Sequence, residues 1–395
     1  MSFFPAKEQS ERQDALPDPF LKSDSSRIRF PSEWPEHRHY LKSMLSHYLY
    51  GDAPDDSCRV KGDTIKSEPV YGGRAIRETV LITCGPEGLI SFEAVITRPA
   101  KPGLFPAFVW NQFPEMHPCP IEEEAVAVRN YVIAMFNRNQ LAPDDMGSKN
   151  SISQCQCAKA YPGFNWRAIA MWAWGQSRLA DYLVGTGYAD PEKLISTGFS
   201  RGGKVALRSA AYDERFALCA AAGSGCGGAG SFRFMGGRMG LGSDICESLG
   251  AMTRSDRFWY WFSDICATYG NHEIESAAYS ERLLPFDLHF IRALISPRPL
   301  ITTDGLDDAW ANPYGTQLSW AAAEPVYAFL GASGSNAIFF REGGHDFNSA
   351  DWNAVLDFCD SKLLSKDVAL SCKTGGADKW ILDGKIPWRM PEAES

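Results

Sequence analysis

Two short runs, Phe105-Pro-Ala-Phe-Val-Trp110 and Tyr131-Val-Ile-Ala-Met-Phe136, are almost wholly apolar and show none of the alternation of a half-exposed strand. Such runs suit strands covered on both faces, as in a parallel sheet sandwiched between helices. Similar strands are expected at 194–200, 216–222, 298–303 and 336–340, and helical spacing of apolar residues at 166–184, 201–211 and 350–363. The stretch 166–184 is interrupted only by Gly175 and stops at Gly185-Thr-Gly187. Ahead of these, 78–83 and 89–97 alternate polar with apolar and are joined by Gly85-Pro-Glu-Gly88, which reads as an antiparallel edge. The fold class that follows is α/β: a doubly wound, mostly parallel sheet with an antiparallel N-terminal edge, in a single domain with loop insertions.

The chain has 395 residues, 45% of them hydrophobic and 22% charged, which is enough apolar matter for a large core and far from the composition of disorder. Prolines are scattered and no repeat or low-complexity linker divides the chain. The expected organisation is a wrapping segment over 1–75, an α/β domain over 76–365 carrying an insertion at 229–295, and an extension over 366–395. A net charge of −9 argues against nucleic acid, whose phosphates require a basic footprint. No apolar stretch is long enough to span a membrane, and the first residues lack the pattern of a secretory signal. Eleven irregularly spaced cysteines define no disulfide framework. Cys155-Gln-Cys157 and His37-Arg-His39 have no second pair at zinc-site spacing, so no metal and no cofactor are expected.

Chemistry concentrates at Gly198-Phe-Ser-Arg-Gly202, a G-x-S-x-G sequence between an expected strand and an expected helix. That context lifts a serine hydroxyl above the sheet on a sharp turn, with the flanking glycines letting the backbone through. A phosphate loop competes for the same residues through Gly198-x4-Gly203-Lys204, but Val205 stands where a hydroxyl should hold magnesium. Gly223-Ser-Gly-Cys-Gly-Gly228 fits a dinucleotide fingerprint in letters only, since the glycine-rich residues that follow have no helical face. It is expected to be a flexible loop at the active site.

A serine nucleophile in this fold needs an acid and then a histidine later in the chain. Only His272, His289 and His345 follow Ser200, and His345 alone sits in a glycine-bearing turn directly after an apolar strand, Gly343-Gly-His-Asp-Phe347. His272 and His289 lie in the insertion and read as surface or structural residues. Asp304, Asp307 and Asp308 offer the acid in the loop after the preceding strand. Asp308 is favoured because it lies deep enough in the turn to reach back under a histidine, whereas Asp304 is still at the strand end and Asp307 suits a turn.

The string Gly198-Phe-Ser-Arg-Gly-Gly-Lys-Val-Ala-Leu207 resembles the nucleophile segment of glucuronoyl esterases, carbohydrate esterase family 15, in which Arg follows the serine and Lys stands four residues on. Gly305-Leu-Asp-Asp-Ala-Trp-Ala-Asn-Pro313, Arg341-Glu-Gly-Gly-His-Asp-Phe-Asn348, and Leu284-Pro-Phe-Asp-Leu-His289 before Ser296-Pro-Arg-Pro299 look like its bacterial members, over about residues 100–363. The resemblance implies hydrolysis of the ester between 4-O-methyl-glucuronic acid of xylan and a lignin alcohol. It implies the triad Ser200, His345 and Asp308, an oxyanion contact from Arg201, and sugar contacts from Lys204, Glu247 and Trp310. Fungal members take their acid about 23 residues after the serine, where this chain has Gly223, so Asp308 must act alone here. A secreted or periplasmic monomer acting on xylan or lignin-carbohydrate esters would follow. An acetyl-xylan or general carboxylesterase, a P-loop nucleotide-binding protein and an inactive carbohydrate-binding hydrolase are the alternatives.

Overall fold

The computed structural model describes residues 4–54, 58–112, 119–144, 151–235, 246–253, 258–270, 280–375 and 384–392. Nine strands form one sheet: β1 (Lys61–Val70), β2 (Ala75–Cys84), β3 (Ile90–Pro99), β4 (Phe105–Trp110), β5 (Val132–Phe136), β6 (Ala189–Phe199), β7 (Phe216–Ala222), β8 (Leu300–Gly305) and β9 (Asn336–Arg341). Their order is β1-β2-β3-β5-β4-β6-β7-β8-β9. β1, β2, β3 and β5 pair antiparallel, and every pairing from β5 through β4 to β9 is parallel. This is an α/β-hydrolase sheet, as the strand–helix alternation predicts. β1 begins at Lys61, inside the stretch expected to wrap the body, and gave no strand signal because this outermost strand is exposed or half-buried along its whole length.

The helices among the described residues are α1 (Trp34–Leu45), the short α2 (Ser151–Gln154) and α3 (Gln156–Ala160), α4 (Ala168–Val184), α5 (Arg201–Tyr212), the short α6 (Leu249–Thr253) and α7 (Asp264–Thr268), α8 (His289–Ile295), α9 (Pro313–Phe329) and α10 (Ser349–Leu364). One large apolar cluster packs α1, α4, α5 and α8 against one face of the sheet; a second packs α10 and the aromatics Trp110, Phe347 and Trp352 against the other. β4, β5 and β7 are buried almost throughout, which is why their sequences need no polar face. Among the described residues no helix is long and apolar enough to cross a membrane. All eleven cysteines are free thiols.

Candidate active site

β6 runs into α5 through Ser200, whose φ of 56° and ψ of −127° lie outside the regions a serine ordinarily occupies. The bend holds because its neighbours can approach it. A Cβ on Gly198 would collide with the Gly202 carbonyl, and one on Gly203 would lie 2.8 Å from the Ala222 oxygen. The Ser200 amide donates to Ala222 O at 2.9 Å, tying the bend to β7. The hydroxyl is thereby raised above the C-terminal ends of the strands at the start of a helix, whose first amide groups have no intrahelical acceptor. Arg201 N–H is one of these.

Two loops bring the partners. His345 Nε2 lies 2.9 Å from Ser200 Oγ, and His345 Nδ1 lies 2.5 Å from Asp308 Oδ2. The imidazole packs over the Phe199 ring at 4.6 Å. The loops after β8 and β9 are stitched together: Leu306 N donates to Arg341 O, Asp307 N to Gly343 O, and Gly343 N to the Asp307 carboxylate. This approach is possible because Gly305 has no Cβ to strike the Gly343 and Gly344 carbonyls. Arg341 braces the histidine loop by donating to Gly344 O and Asp346 O while its Nε holds Asp351 at 2.6 Å.

Of the three aspartates, Asp307 is the exposed turn residue and Asp308 is the buried one that meets the imidazole. The Asp308 amide closes a turn on Gly305 O, and its Oδ1 accepts from Ala311 N, so the carboxylate arrives with its orientation set. Asp304 is also buried, and neither of its oxygens has a hydrogen-bond partner among the described residues. Burial, reinforced by the Asp308 charge, pushes the Asp304 carboxyl well above the usual carboxylate range.

Lys204 is 1% exposed, so it is neither a solvated helix charge nor a phosphate ligand reaching out of a loop. Its Nζ donates to Ser224 O at 2.6 Å and pairs with Glu247 at 2.5 Å, over the Trp261 ring. Burial pushes the Glu247 carboxyl up, and the nearby charges of Lys204 and Arg201 oppose that shift. Glu247 N donates to Trp310 O, which joins the insertion to the loop carrying Asp308. Trp310 is half-buried rather than packed in the core. Arg201 points its guanidinium at Asp144, with Nη1 3.0 Å from Oδ2.

The glycine-rich segment 223–228, expected to be flexible, is buried and wound into tight turns. Gly223 N donates to Thr303 O, Ala229 N to Ser224 Oγ, and both Gly228 N and Gly230 N to Gly225 O. Its glycines serve close approach: a Cβ on Gly225 would lie 2.7 Å from Glu247 Oε2, and one on Gly223 would lie 3.4 Å from the His345 ring. His289 is buried in α8 and donates Nε2–H to Pro17 O, a structural role; His272 lies outside the described residues. Cys157 is buried, and the Cys155 sulfur caps α3 by accepting from Ala158 N. His37 bonds Pro19 O. Among the described residues no three His, Cys, Asp or Glu side chains group as a metal site.

Sequence reasoning missed Asp144, Arg138, Phe258 and Trp261, which surround Arg201. No short motif links them, since they come from separate stretches of the chain.

Proteins similar to this chain are known in both sequence and structure. The chain is 27% identical to a protein named Carbohydrate esterase MZ0003 from an unknown prokaryotic organism, over 92% of this chain and 90% of that one. It is 28% identical to a 4-O-methyl-glucuronoyl methylesterase of Schizophyllum commune, over 92% of this chain and 86% of the relative. The solved structure of a carbohydrate esterase family 15 glucuronoyl esterase from Caldicellulosiruptor kristjansonii superposes with a TM-score of 0.72 at 27% identity, covering 96% of this chain and 98% of that one. The sequence profile described as "Glucuronyl esterase, fungi" matches residues 83–331, more than half of the chain, from the last two residues of β2 to just past the end of α9. By that match, and by a fold shared along nearly its full length, the chain belongs to the glucuronoyl esterase family.

Proposed function

We propose that this protein hydrolyses esters of glucuronic acid through an acyl-enzyme on Ser200. The observation that carries the reading is the continuous chain Ser200 Oγ, His345 Nε2, His345 Nδ1, Asp308 Oδ2, at 2.9 and 2.5 Å, on a strained strand-to-helix bend. Nδ1–H donates to Asp308, which leaves Nε2 as the acceptor for the serine proton. Ser200 Oγ attacks the uronoyl carbonyl carbon as Nε2 takes its proton, and Asp308 stabilises the resulting imidazolium. The carbonyl oxygen becomes an oxyanion facing Arg201 N–H and its guanidinium. On collapse the C–O bond to the alcohol breaks and Nε2–H protonates the leaving oxygen. Water then repeats the sequence, with its proton going to Nε2 and returning to Ser200 Oγ, and the free acid leaves.

The sugar would be held by Lys204, whose three N–H groups give two to Ser224 and Glu247 among the described residues, by the Glu247 carboxylate and by the half-buried Trp310 ring. The names of the relatives support this substrate class, since one acts on 4-O-methyl-glucuronoyl methyl esters. An ester linking glucuronic acid of xylan to a lignin alcohol presents the same acyl group, and a protein that acts on it would work outside the cell. We further read the protein as needing no cofactor, because each step uses only these side chains and water.

The test is turnover of benzyl glucuronate. Ser200→Ala should lose about 10³-fold or more of kcat, and Asp308→Asn about 10²- to 10⁴-fold, because the asparagine favours the wrong tautomer. Wild-type turnover in Ser200→Ala would reject the nucleophile, and near-full activity in Asp308→Asn would reject the acid. A higher kcat/KM for p-nitrophenyl acetate than for methyl glucuronate would replace the uronate assignment with a general carboxylesterase.

A further inference from the structure

We propose that Asp144 is a positioning residue that locks the Arg201 guanidinium in place before the oxyanion forms. The inference rests on the reading of Arg201 as an oxyanion donor and extends it to a residue in another part of the chain.

Asp144 is a buried carboxylate that collects four donors: Arg201 Nη1 at 3.0 Å, Arg138 Nη2 at 3.2 Å, Tyr260 OH at 2.9 Å and Trp261 Nε1 at 3.4 Å. Its own side chain is 6% exposed, whereas that of Arg201 is 31% exposed, so one end of the pair is fixed inside the protein and the other reaches the site. The guanidinium also lies over the Trp261 ring at 4.9 Å and the Phe258 ring at 5.2 Å, and these two rings stack face to face at 4.0 Å. Arg201 is therefore held by a carboxylate and flanked by a stacked aromatic pair.

The clamp is anchored to the nucleophile bend from the other side as well. Arg138 Nη1 donates to Asn111 O at 3.0 Å, its guanidinium lies over Trp172, and Asn111 Nδ2 donates to Gly202 O at 3.0 Å in the first turn of α5. One continuous network thus runs from Asp144 through Arg138 and Asn111 back to the residue next to Arg201.

Charge bookkeeping explains why the pairing does not cancel the field that catalysis needs. Asp144 carries one negative charge against two guanidinium groups, leaving a net positive charge beside the scissile carbonyl. Burial raises the Asp144 carboxyl, but the Arg201 and Arg138 charges outweigh that and hold it below its ordinary value. A guanidinium has five N–H donors, and the Asp144 contact uses one of them. An arginine left without the clamp would have to be ordered during the reaction; one already fixed requires no reorganisation as charge develops.

The test is steady-state kinetics on benzyl glucuronate for wild type, Asp144→Asn, Arg201→Ala and the double variant. Arg201→Ala should lower kcat by about 10²-fold or more, and Asp144→Asn by about 10- to 100-fold with KM little changed. The double variant should be no slower than Arg201→Ala alone, because Asp144 acts only through Arg201. A kcat for Asp144→Asn within two-fold of wild type would overturn the proposal, as would losses that multiply in full in the double variant. If Asp144→Asn fails to fold, Tyr260→Phe replaces it. Removing that hydroxyl should slow the wild type several-fold and leave Arg201→Ala unaffected, whereas equal loss in both backgrounds would overturn the proposal. Wild-type kcat in Arg201→Ala would reject the oxyanion reading itself, an outcome separate from a failure at Asp144 alone.

Discussion

Lys204 and Glu247 form a nearly solvent-free ion pair, 2.5 Å long with side chains 1% and 7% exposed. Removing one member of such a pair costs far more than removing both, because the survivor is left charged in a low dielectric. Lys204→Met should therefore lose about 3–5 kcal/mol of stability in urea unfolding. The double variant Lys204→Met with Glu247→Leu should recover most of that loss while keeping a raised KM for glucuronate esters. A double variant no more stable than the single would show that the pair contributes more than it costs to desolvate. At this scale Ser200 and His345 were legible because a glycine-flanked serine and a glycine-flanked histidine each announce a turn after a strand. The choice among Asp304, Asp307 and Asp308 came from their position in the loop, and their three environments show how much one residue's shift matters: one buried with no hydrogen-bond partner among the described residues, one exposed, one against the imidazole.

The junction of β6 with α5 depends on the helix lying hard against β7. Gly203 is the point of closest approach: a Cβ there would lie 2.8 Å from Ala222 O and 2.9 Å from Ser224 Cβ, and neither can move without shifting the sheet or the Gly223 turn. Gly203→Ala should cost about 1–3 kcal/mol by overpacking and should slow turnover by displacing Ser200 from His345. Thermal unfolding together with kcat checks this; unchanged values in both would mean that the helix has room to slide. Buried elements were readable and peripheral ones were not. Phe216–Ala222, inside the sheet, stands where its apolar run placed it, whereas the edge strand β1 carries Lys, Asp, Ser and Glu and gives no period to read. The long helix α9 was missed although Asn312 caps it and Pro313 opens it, because Gly315 and Pro325 interrupt a pattern that burial of Leu318, Trp320, Val326 and Tyr327 holds together.

Across the whole molecule the two ends of the chain meet over α8. His289 Nε2 donates to Pro17 O, its ring stacks on Trp388 at 5.8 Å, and Leu16 N donates to Lys385 O. Complete burial depresses the His289 imidazole to about 4, so the folded protein keeps it neutral where the unfolded chain, near 6.5, takes up a proton. The stability this contributes is full above about pH 6.5 and is lost as pH falls toward 4, by up to about 3 kcal/mol. Urea midpoints between pH 7.5 and 4.5 should fall more steeply for wild type than for His289→Gln; equal slopes would remove His289 as the source. The sequence by itself determined the buried strands and the sharp turn that carries Ser200, because these depend on local strand patterning and on the glycines beside that serine. Only the tertiary structure decided that Lys204 would be neutralised by Glu247 and that Arg201 would be clamped by Asp144. Those contacts join residues 43 and 57 positions apart, and a charge's partner is set by which loops the packed core brings together.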